Sequence, residues 1–445
     1  MNQPKQKNVV VIGAGASGLT AAHRLRQAGV DVTILEASDK ASGRVQSLQK
    51  NGYIMDVGAD VCTDGYHTYL ELADELGLDD KRHMLPTNIG SVVSGKVRYI
   101  DTASMISMAT SSVFSWRTKF ELAKGMKKVA PDIEAIDYSH LYKSAHLDDP
   151  HRSAEVYGLR NFGPGATDYL LDPLCRLVHA TGAEQTSILD VITGLSLANS
   201  KTWTFLGGSD LLLKTLASQL PVQYHCRVTQ VQDSESRVTV DYVNAEGEAV
   251  TLEADACVLA IMYEDMLEVY PKLIPLSQEL YDNLSYIDVC KVHLGYKAVT
   301  NTDAYTVQVP SCEDAEMFLL FLDHNKAPDR APAGHSLMNV QSDVRVADEM
   351  AARTDEEMVD WAREKVENLY SELAGHFDGT WNVARWPRLG NRNYPGYYRN
   401  VAKFIERLDK DSRVQLAGDM FTKTSQEAAA SRGQLVADTL VSVLG

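Results

Sequence analysis

No stretch of this chain reaches the run of about eighteen apolar residues that a membrane-crossing helix needs, so a helical span is excluded. The first residues, MNQPKQKN, lead directly into an apolar segment without the n- and h-regions of a leader, and an unprocessed chain is expected. Cysteine is sparse. The six residues, Cys62, Cys175, Cys226, Cys257, Cys290 and Cys312, are scattered without C-x-x-C spacing or tight clusters, which fits a reducing cytoplasm. An HExxH motif is absent and the twelve histidines are dispersed, so no metal is expected. Basic residues are outnumbered, 43 Lys and Arg against 60 Asp and Glu, for a formal charge of −17. Nucleic acid and acidic membrane surfaces both reward clustered cations, so the charge argues against both. A local basic pocket for an anionic substrate stays compatible with it. Internal repeats and low-complexity tracts are also missing. What remains is a globular composition whose 445 residues exceed what one hydrophobic core usually supports, predicting two domains.

The most informative segment runs from Val9 to Glu36, VVVIGAGASGLTAAHRLRQAGVDVTILE. Val9 to Ile12 read as a buried strand, and Gly13, Ala14, Gly15, Ala16, Ser17 and Gly18 form a GxGxxG turn opening a helix. Gly13 permits the tight turn, Gly15 lets a pyrophosphate approach the backbone, and Gly18 lets the helix pack on the strand. Phosphate then sits on the helix N-terminus, where free N–H groups and the helix dipole offset its charge. Val32 to Leu35 return as a parallel strand ending in Glu36, whose carboxylate is placed to accept ribose hydroxyls and to repel a 2′-phosphate. NADP is disfavoured, leaving NAD or the ADP half of FAD.

Immediately downstream come Ala37 to Lys40, then Ser42-Gly43-Arg44, and then Asn51-Gly52-Tyr53-Ile54-Met55-Asp56-Val57-Gly58-Ala59-Asp60. Here the sequence resembles the flavin amine oxidase superfamily, which includes monoamine and polyamine oxidases, protoporphyrinogen oxidase and phytoene desaturases. In that family a Gly-Gly-Arg turn lies near the FAD phosphates and an Asp-x-Gly strand end lies beside the isoalloxazine. The resemblance implies that Arg44 gives charge and a donor fork to the pyrophosphate and that Gly58 lets backbone approach the flavin. Ser42 departs from the family's first glycine. At the far end, Val414 to Ala417, Gly418-Asp419 and Thr424-Ser425-Gln426-Glu427 resemble the closing strand–turn–helix. By that resemblance Asp419 contacts the ribityl or pyrophosphate region and the helix N-terminus faces the flavin pyrimidine edge. Thr424 and Glu427 have capping-box spacing.

The fold class implied is α/β, a Rossmann-type FAD-binding domain interleaved with a mixed α+β substrate domain carrying a helical cap. The expected FAD-binding segments are 1–95, 200–261 and 382–445, and the substrate segments are 96–199 and 262–381. Tyr66 to Leu78 read as an amphipathic helix, and Ser91 to Tyr99 as a small hairpin. Met105 to Asn199 read as mainly helical, broken at Pro131, Pro150 and Pro164. A helix is expected over Asp210 to Leu220, followed by a β-meander of Val222 to Val231, Val238 to Asn244 and Ala249 to Ala260. By resemblance, Val228 contributes backbone to adenine, and Val258-Leu259-Ala260 re-enter the nucleotide sheet. Further strands are expected at Val292 to Tyr296 and Met317 to Leu322, and a helix at Glu356 to Ala374.

Flavin carries hydride chemistry, so the protein's part is to position substrate, exclude water and tune the ring. Lys291, in Val289-Cys290-Lys291-Val292-His293, resembles the lysine that monoamine and polyamine oxidases link through water to flavin N5. The competing reading is a strand lysine on a solvent face. Trp386, Tyr394, Tyr397 and Tyr398 are aromatic candidates for the flavin or substrate, or ordinary packing residues. The tyrosine cage of monoamine oxidases is not matched, since Ser425 and Gln426 occupy its position in the closing helix. The cysteine that binds flavin covalently in some relatives has no counterpart beyond Cys312, so FAD is expected to be noncovalent. The leading expectation is an oxidase acting on a C–N bond of a small amine with molecular oxygen as acceptor. The alternatives are C–C desaturation or porphyrinogen oxidation, a flavin isomerase without net oxidation, and a flavin-binding protein without turnover. A homo-oligomer is left open.

Overall fold

A computed structural model describes residues 6–179, 181–197 and 200–445; the start of MNQPKQKN and the expected helical boundary at Asn199 lie outside them. Five parallel strands form the first sheet, in the order Val222–Gln223, Asp31–Leu35, Asn8–Ile12, Ala256–Leu259 and Val414–Leu416. Its strands are apolar on both faces because both are covered. Val9 and Val11 pack with Leu19, Leu25, Leu212 and Val436, whereas Val10 and Ile12 pack with Leu259, Met266, Tyr397 and Phe404. Helix Ala16–Gln27 lies against the closing helix Gln426–Leu444 so tightly that a Cβ on Gly433 would strike the Ser17 carbonyl. The glycine turn and the closing helix are thereby one rigid unit.

A seven-stranded sheet carries the rest of the core, in the order Phe377–Asn391, Tyr286–Tyr296, Ser336–Ser342, Met317–Leu322, Thr306–Gln308, Asn88–Val93 and Lys96–Asp101. Cys290, Val292 and Leu294 face helix Asp355–Leu369 through Met358 and Trp361. Ile287 and Val289 face the other way, into the core of the parallel sheet. Period-two alternation therefore sends Lys291 and His293 toward the first sheet as well. A helical layer built on Val129, Phe162, Leu171, Cys175 and Val191 forms a further cluster.

Strand pairing cuts across two expected boundaries. The hairpin around Ser94 and Gly95, both at positive φ, pairs through Asn88–Val93 with Thr306–Gln308, so a division at residue 95 splits one structural unit. Phe377–Asn391 is likewise continuous across residue 382, hydrogen-bonded along Tyr286–Tyr296. The expected meander is also redistributed. Val222–Gln223 and Ala256–Leu259 belong to the parallel sheet, and only Arg227–Asp233, Val238–Val243 and Ala249–Ala254 form the antiparallel three-stranded sheet. The interruption at His225, with φ +56°, turns the chain out of one sheet into the other. Pro131 does not break its helix, which spans Trp116–Glu134. It sits in the last turn, where the lost N–H removes a single bond and the chain is about to leave the helix in any case.

Candidate active site

The three glycines of the turn answer to different neighbours. A Cβ on Gly13, at φ +100°, would collide with the Ala260 carbonyl, and one on Gly18 with the Gly13 carbonyl. Both positions serve packing of strand, turn and helix. Gly15 is different: nothing lies within 4 Å of where its Cβ would be. The open space beside it, at the start of helix Ala16–Gln27, is the cradle a dinucleotide pyrophosphate requires. Ser42 closes the cradle from the next turn, at φ +83°, with its N–H on the Ala14 carbonyl at 2.9 Å. Its buried hydroxyl has no partner among the described residues, an orphan that a ligand oxygen would satisfy. Gly43 abuts Gly15, its absent Cβ 3.3 Å from the Gly15 Cα. Replacing Gly15 with Val should fill the cradle without straining the backbone. The expected result is at least a tenfold loss of bound flavin, read from absorbance, with the denaturation midpoint of the apoprotein held within about 1 kcal/mol of wild type.

Glu36 stands at the end of its strand, its Oε2 accepting from the Ala14 N–H at 2.8 Å and its Oε1 from the Ser38 N–H at 2.9 Å. Oε1 also accepts from the Ser38 hydroxyl at 2.8 Å, so Oε2 is the oxygen that retains a lone pair for a ribose hydroxyl. The backbone of Cys226 donates to the Glu36 carbonyl, which brings strand Arg227–Asp233, with half-buried Val228 near its start, alongside Glu36 and Ala37.

Arg44 and Asp419 were expected to meet the cofactor separately, and they meet each other. Arg44 Nη2 donates to Asp419 Oδ1 at 2.8 Å and Nη1 to Oδ2 at 3.1 Å, with Nη1 also on the Leu389 carbonyl at 3.0 Å. Burial works against the guanidinium charge, but the Asp419 carboxylate outweighs it and raises the Arg44 pKa. Three of five N–H groups are engaged, leaving two for an anion. Gly418, at φ +134°, has open space at its Cβ position.

Gly58 departs from the expectation that its missing side chain admits the flavin. A Cβ there would strike the Arg44 carbonyl, because Gly58 N–H and Ala59 N–H bond the carbonyls of Gln46 and Arg44. The Gly58 carbonyl instead receives Lys291 Nζ at 2.7 Å. Lys291 is 3% exposed, so the solvent-face alternative is excluded. Burial lowers its pKa, and the Lys326 ammonium lowers it further. Trp386 donates its indole N–H to the Val57 carbonyl at 2.6 Å. It also borders a cleft of about 300 Å³ together with Val57, Gln46 and Ala384.

The closing helix starts one residue later than its sequence spacing indicates. Ser425, not Thr424, is the cap, its Oγ accepting from Ala428 N–H at 3.0 Å, while Thr424 Oγ1 accepts from Asn391 N–H. Glu427, buried, accepts from the N–H groups of Thr68 at 3.0 Å and Tyr69 at 2.9 Å. It caps helix His67–Glu75, which lacks a cap of its own. Buried Gln426 accepts from the Cys62 thiol at 3.8 Å.

A buried ion cluster behind Gly58 went unrecognised in the sequence. Lys326 Nζ lies 3.0 Å from Asp56, 2.9 Å from Asp60 and 2.9 Å from Asp323, and Arg330 Nε lies 3.0 Å from Asp56. Asp60, expected at the cofactor, has its carboxylate committed here. His293, buried on the Lys291 face, has its pKa lowered to about 3 by burial and by the Lys291 and Lys326 charges. The cluster joins two local groups, Asp56 with Asp60 and Asp323 with Lys326 and Arg330, but Asp56 lies 270 positions from Lys326, and nothing in the sequence pairs the two groups. Tyr397 and Tyr398 prove to be packing residues, their hydroxyls on the Met420 carbonyl and on Asp190, each at 2.6 Å.

Comparisons with known proteins agree with this geometry. Protoporphyrinogen oxidase 2 of Arabidopsis thaliana is 32% identical over 170 residues, 38% of this chain and 31% of that protein. Putrescine oxidase of Kocuria rosea is 28% identical over 155 residues, 32% of each. The chain thus spans about a third of the length of the first curated relatives it matches, 31% in each case. Among solved structures, cyclohexylamine oxidase from Brevibacterium oxydans has the same fold, with a TM-score of 0.77 at 17% identity over 99% of both chains. The family described as flavin containing amine oxidoreductase matches residues 16–441, which takes in the glycine turn's helix, Arg44, Lys291 and the closing helix. An open phosphate cradle, an orphaned hydroxyl above it and a family pattern matched over residues 16–441 lead to one conclusion: the chain belongs to the flavin-containing amine oxidoreductases.

Proposed function

We propose that the protein is an oxidase that removes a hydride from the carbon beside the nitrogen of a small amine, with molecular oxygen as acceptor. The observation that carries this reading is the buried Lys291 ammonium on the Gly58 carbonyl. Bound FAD, held noncovalently, supplies the hydride acceptor. Gly15, Ser42 and the free N–H groups of Arg44 would hold its pyrophosphate, and Glu36 and Val228 its adenosine end. The N-terminus of helix Gln426–Leu444, capped by Ser425, offers positive potential to a ring carrying negative charge. Lys291, its charged form disfavoured by burial, is suited to hold a water and to pass a proton at Nζ. Trp386, fixed on the Val57 carbonyl, borders a cleft of a size for a small substrate. In this reading the parallel-sheet unit holds FAD, the seven-stranded sheet and helical layer hold substrate, and free, mostly buried cysteines support a reducing compartment.

A second reading is oxidation of a porphyrinogen-type ring or a C–C bond. It is favoured by the lining of the cleft, in which Trp386 is the one aromatic among the described residues, and by Tyr397 and Tyr398 being tied elsewhere. Anaerobic mixing with a panel of small primary and secondary amines, and separately with a porphyrinogen, distinguishes them. Bleaching of flavin absorbance by an amine is expected. Bleaching by the porphyrinogen alone transfers the assignment to the second reading, and an oxidised spectrum with every compound rejects both.

A further inference from the structure

The helical layer exposes an apolar face that the active site does not use. Met105 and Ile106, in helix Met105–Thr110, are 79% and 77% exposed, and Trp116 and Phe120, in the first turns of helix Trp116–Glu134, are 78% and 73% exposed. Met108 adds to the same segment. Lys119 joins the two helices, its Nζ donating to the carbonyls of Ala109 at 2.6 Å and Ser111 at 2.7 Å. The longer helix buries its opposite side. Thr118, Gly125 and Val129 are buried, and a Cβ on Gly125 would strike Phe162. Trp116 and Phe120, one turn apart, therefore point outward by construction. Leaving two such large apolar side chains in water forgoes the free energy of burying them, a penalty that a covered face avoids.

Charge identifies the occupant. Further along the same helix Lys124, Lys127 and Lys128 stand exposed, and Arg117 lies beside Trp116. Among the acids of that helix, Glu121 is paired with Arg117 at 2.9 Å, and Asp132 and Glu134 follow only in its last turn, beyond the lysines. This is a local cationic surface on a chain of formal charge −17. At physiological ionic strength charges act over about 8 Å, so the acids elsewhere are screened and the contacting face decides. Lysines near an anionic bilayer are attracted to its headgroup phosphates, and Trp and Phe tips insert at the headgroup level. A symmetric dimer across this face would set these cations against their own copies.

We propose that helices Met105–Thr110 and Trp116–Glu134 dock the protein onto an anionic phospholipid membrane, with Met105, Ile106, Trp116 and Phe120 entering the interface and Lys124, Lys127 and Lys128 meeting headgroup phosphates. This reverses, for one face, the expectation drawn from net charge. The test is cosedimentation of the FAD-loaded full chain with vesicles of phosphatidylcholine mixed with phosphatidylglycerol, against vesicles of phosphatidylcholine alone. Binding is expected to the mixed vesicles and to weaken with salt. Trp116→Ser with Phe120→Ser should lower partitioning by about tenfold or more, and a Lys124→Glu, Lys127→Glu, Lys128→Glu variant should lose the preference for phosphatidylglycerol. Flavin content and thermal midpoint check that each variant is folded. Absence of wild-type binding, or undiminished binding by the serine variant, overturns the proposal. So does self-association that the serine variant abolishes in a protein that ignores vesicles, which would give the face to a second copy.

Discussion

Replacing Lys291 with Met is expected to slow reoxidation of the flavin by oxygen by about 10²-fold, the lower end of what a positioned proton-transfer group contributes. Reduction by substrate in the absence of oxygen should change much less. Methionine fills the same volume, so the loss is specific to Nζ and to its bond on the Gly58 carbonyl. A merely structural lysine would alter stability and leave the pH profile of reoxidation in place. Lys291 differs: burial and the Lys326 charge lower its pKa, so a titration that depends on Nζ falls below the ordinary lysine range. The wild-type rate should titrate, and the Met variant should be flat. Stopped-flow absorbance of the two half-reactions separates these outcomes. A variant that reoxidises at the wild-type rate removes the main support for amine oxidation and favours the second reading.

Lys326→Met carries the largest expected effect on stability, a loss of about 3–5 kcal/mol. The ammonium is fully buried among Asp56, Asp60 and Asp323, all within 3.0 Å. Burial by itself disfavours its charge, yet the three carboxylates together raise its pKa. The Asp56 carboxyl shows the reciprocal balance, with burial overcome by Lys326 and Arg330 and its pKa held well below the ordinary range. The sign of the pH dependence follows. In the wild type, the stability due to Asp56 is fully present above about pH 4, the unfolded carboxyl value, and is lost as pH falls through the depressed folded value. Burial already raises the Asp323 pKa, and without Lys326 the main charge opposing that rise is gone. Its contribution is then present below about pH 4, the unfolded carboxyl value, and lost as pH rises. Denaturant midpoints against pH should therefore slope downward toward neutrality in the variant. Adding Asp60→Asn and Asp323→Asn should recover part of the loss, since the cost lies in unpaired charge and not in the missing ammonium. A variant within 1 kcal/mol of wild type at neutral pH would show that solvent reaches the cluster.

The parts of the site written in contiguous residues were legible early. The glycine turn, Glu36 and the closing helix follow from backbone sterics and dipoles within a few positions of one another. Even there, neighbours changed the reasons. Gly58 makes room for Arg44, Ser425 displaces Thr424 as the cap, and Glu427 caps a helix far away in sequence. Arg44 and Asp419, 375 positions apart, gave no sign that they would bond each other. Lys291 could be singled out, but its orientation could not, because a strand lysine has two faces and only the partner sheets decide which is buried.

By itself the sequence determined the dinucleotide turn, the α/β class and the family, since each rests on side-chain size and backbone freedom at consecutive positions. Only the tertiary structure decided which sheet claims each strand, that Lys291 is desolvated, that Asp56, Asp60 and Asp323 share Lys326, and that Trp116 and Phe120 face outward. Those properties depend on which surfaces exclude water from one another, and exclusion is settled by packing between distant segments.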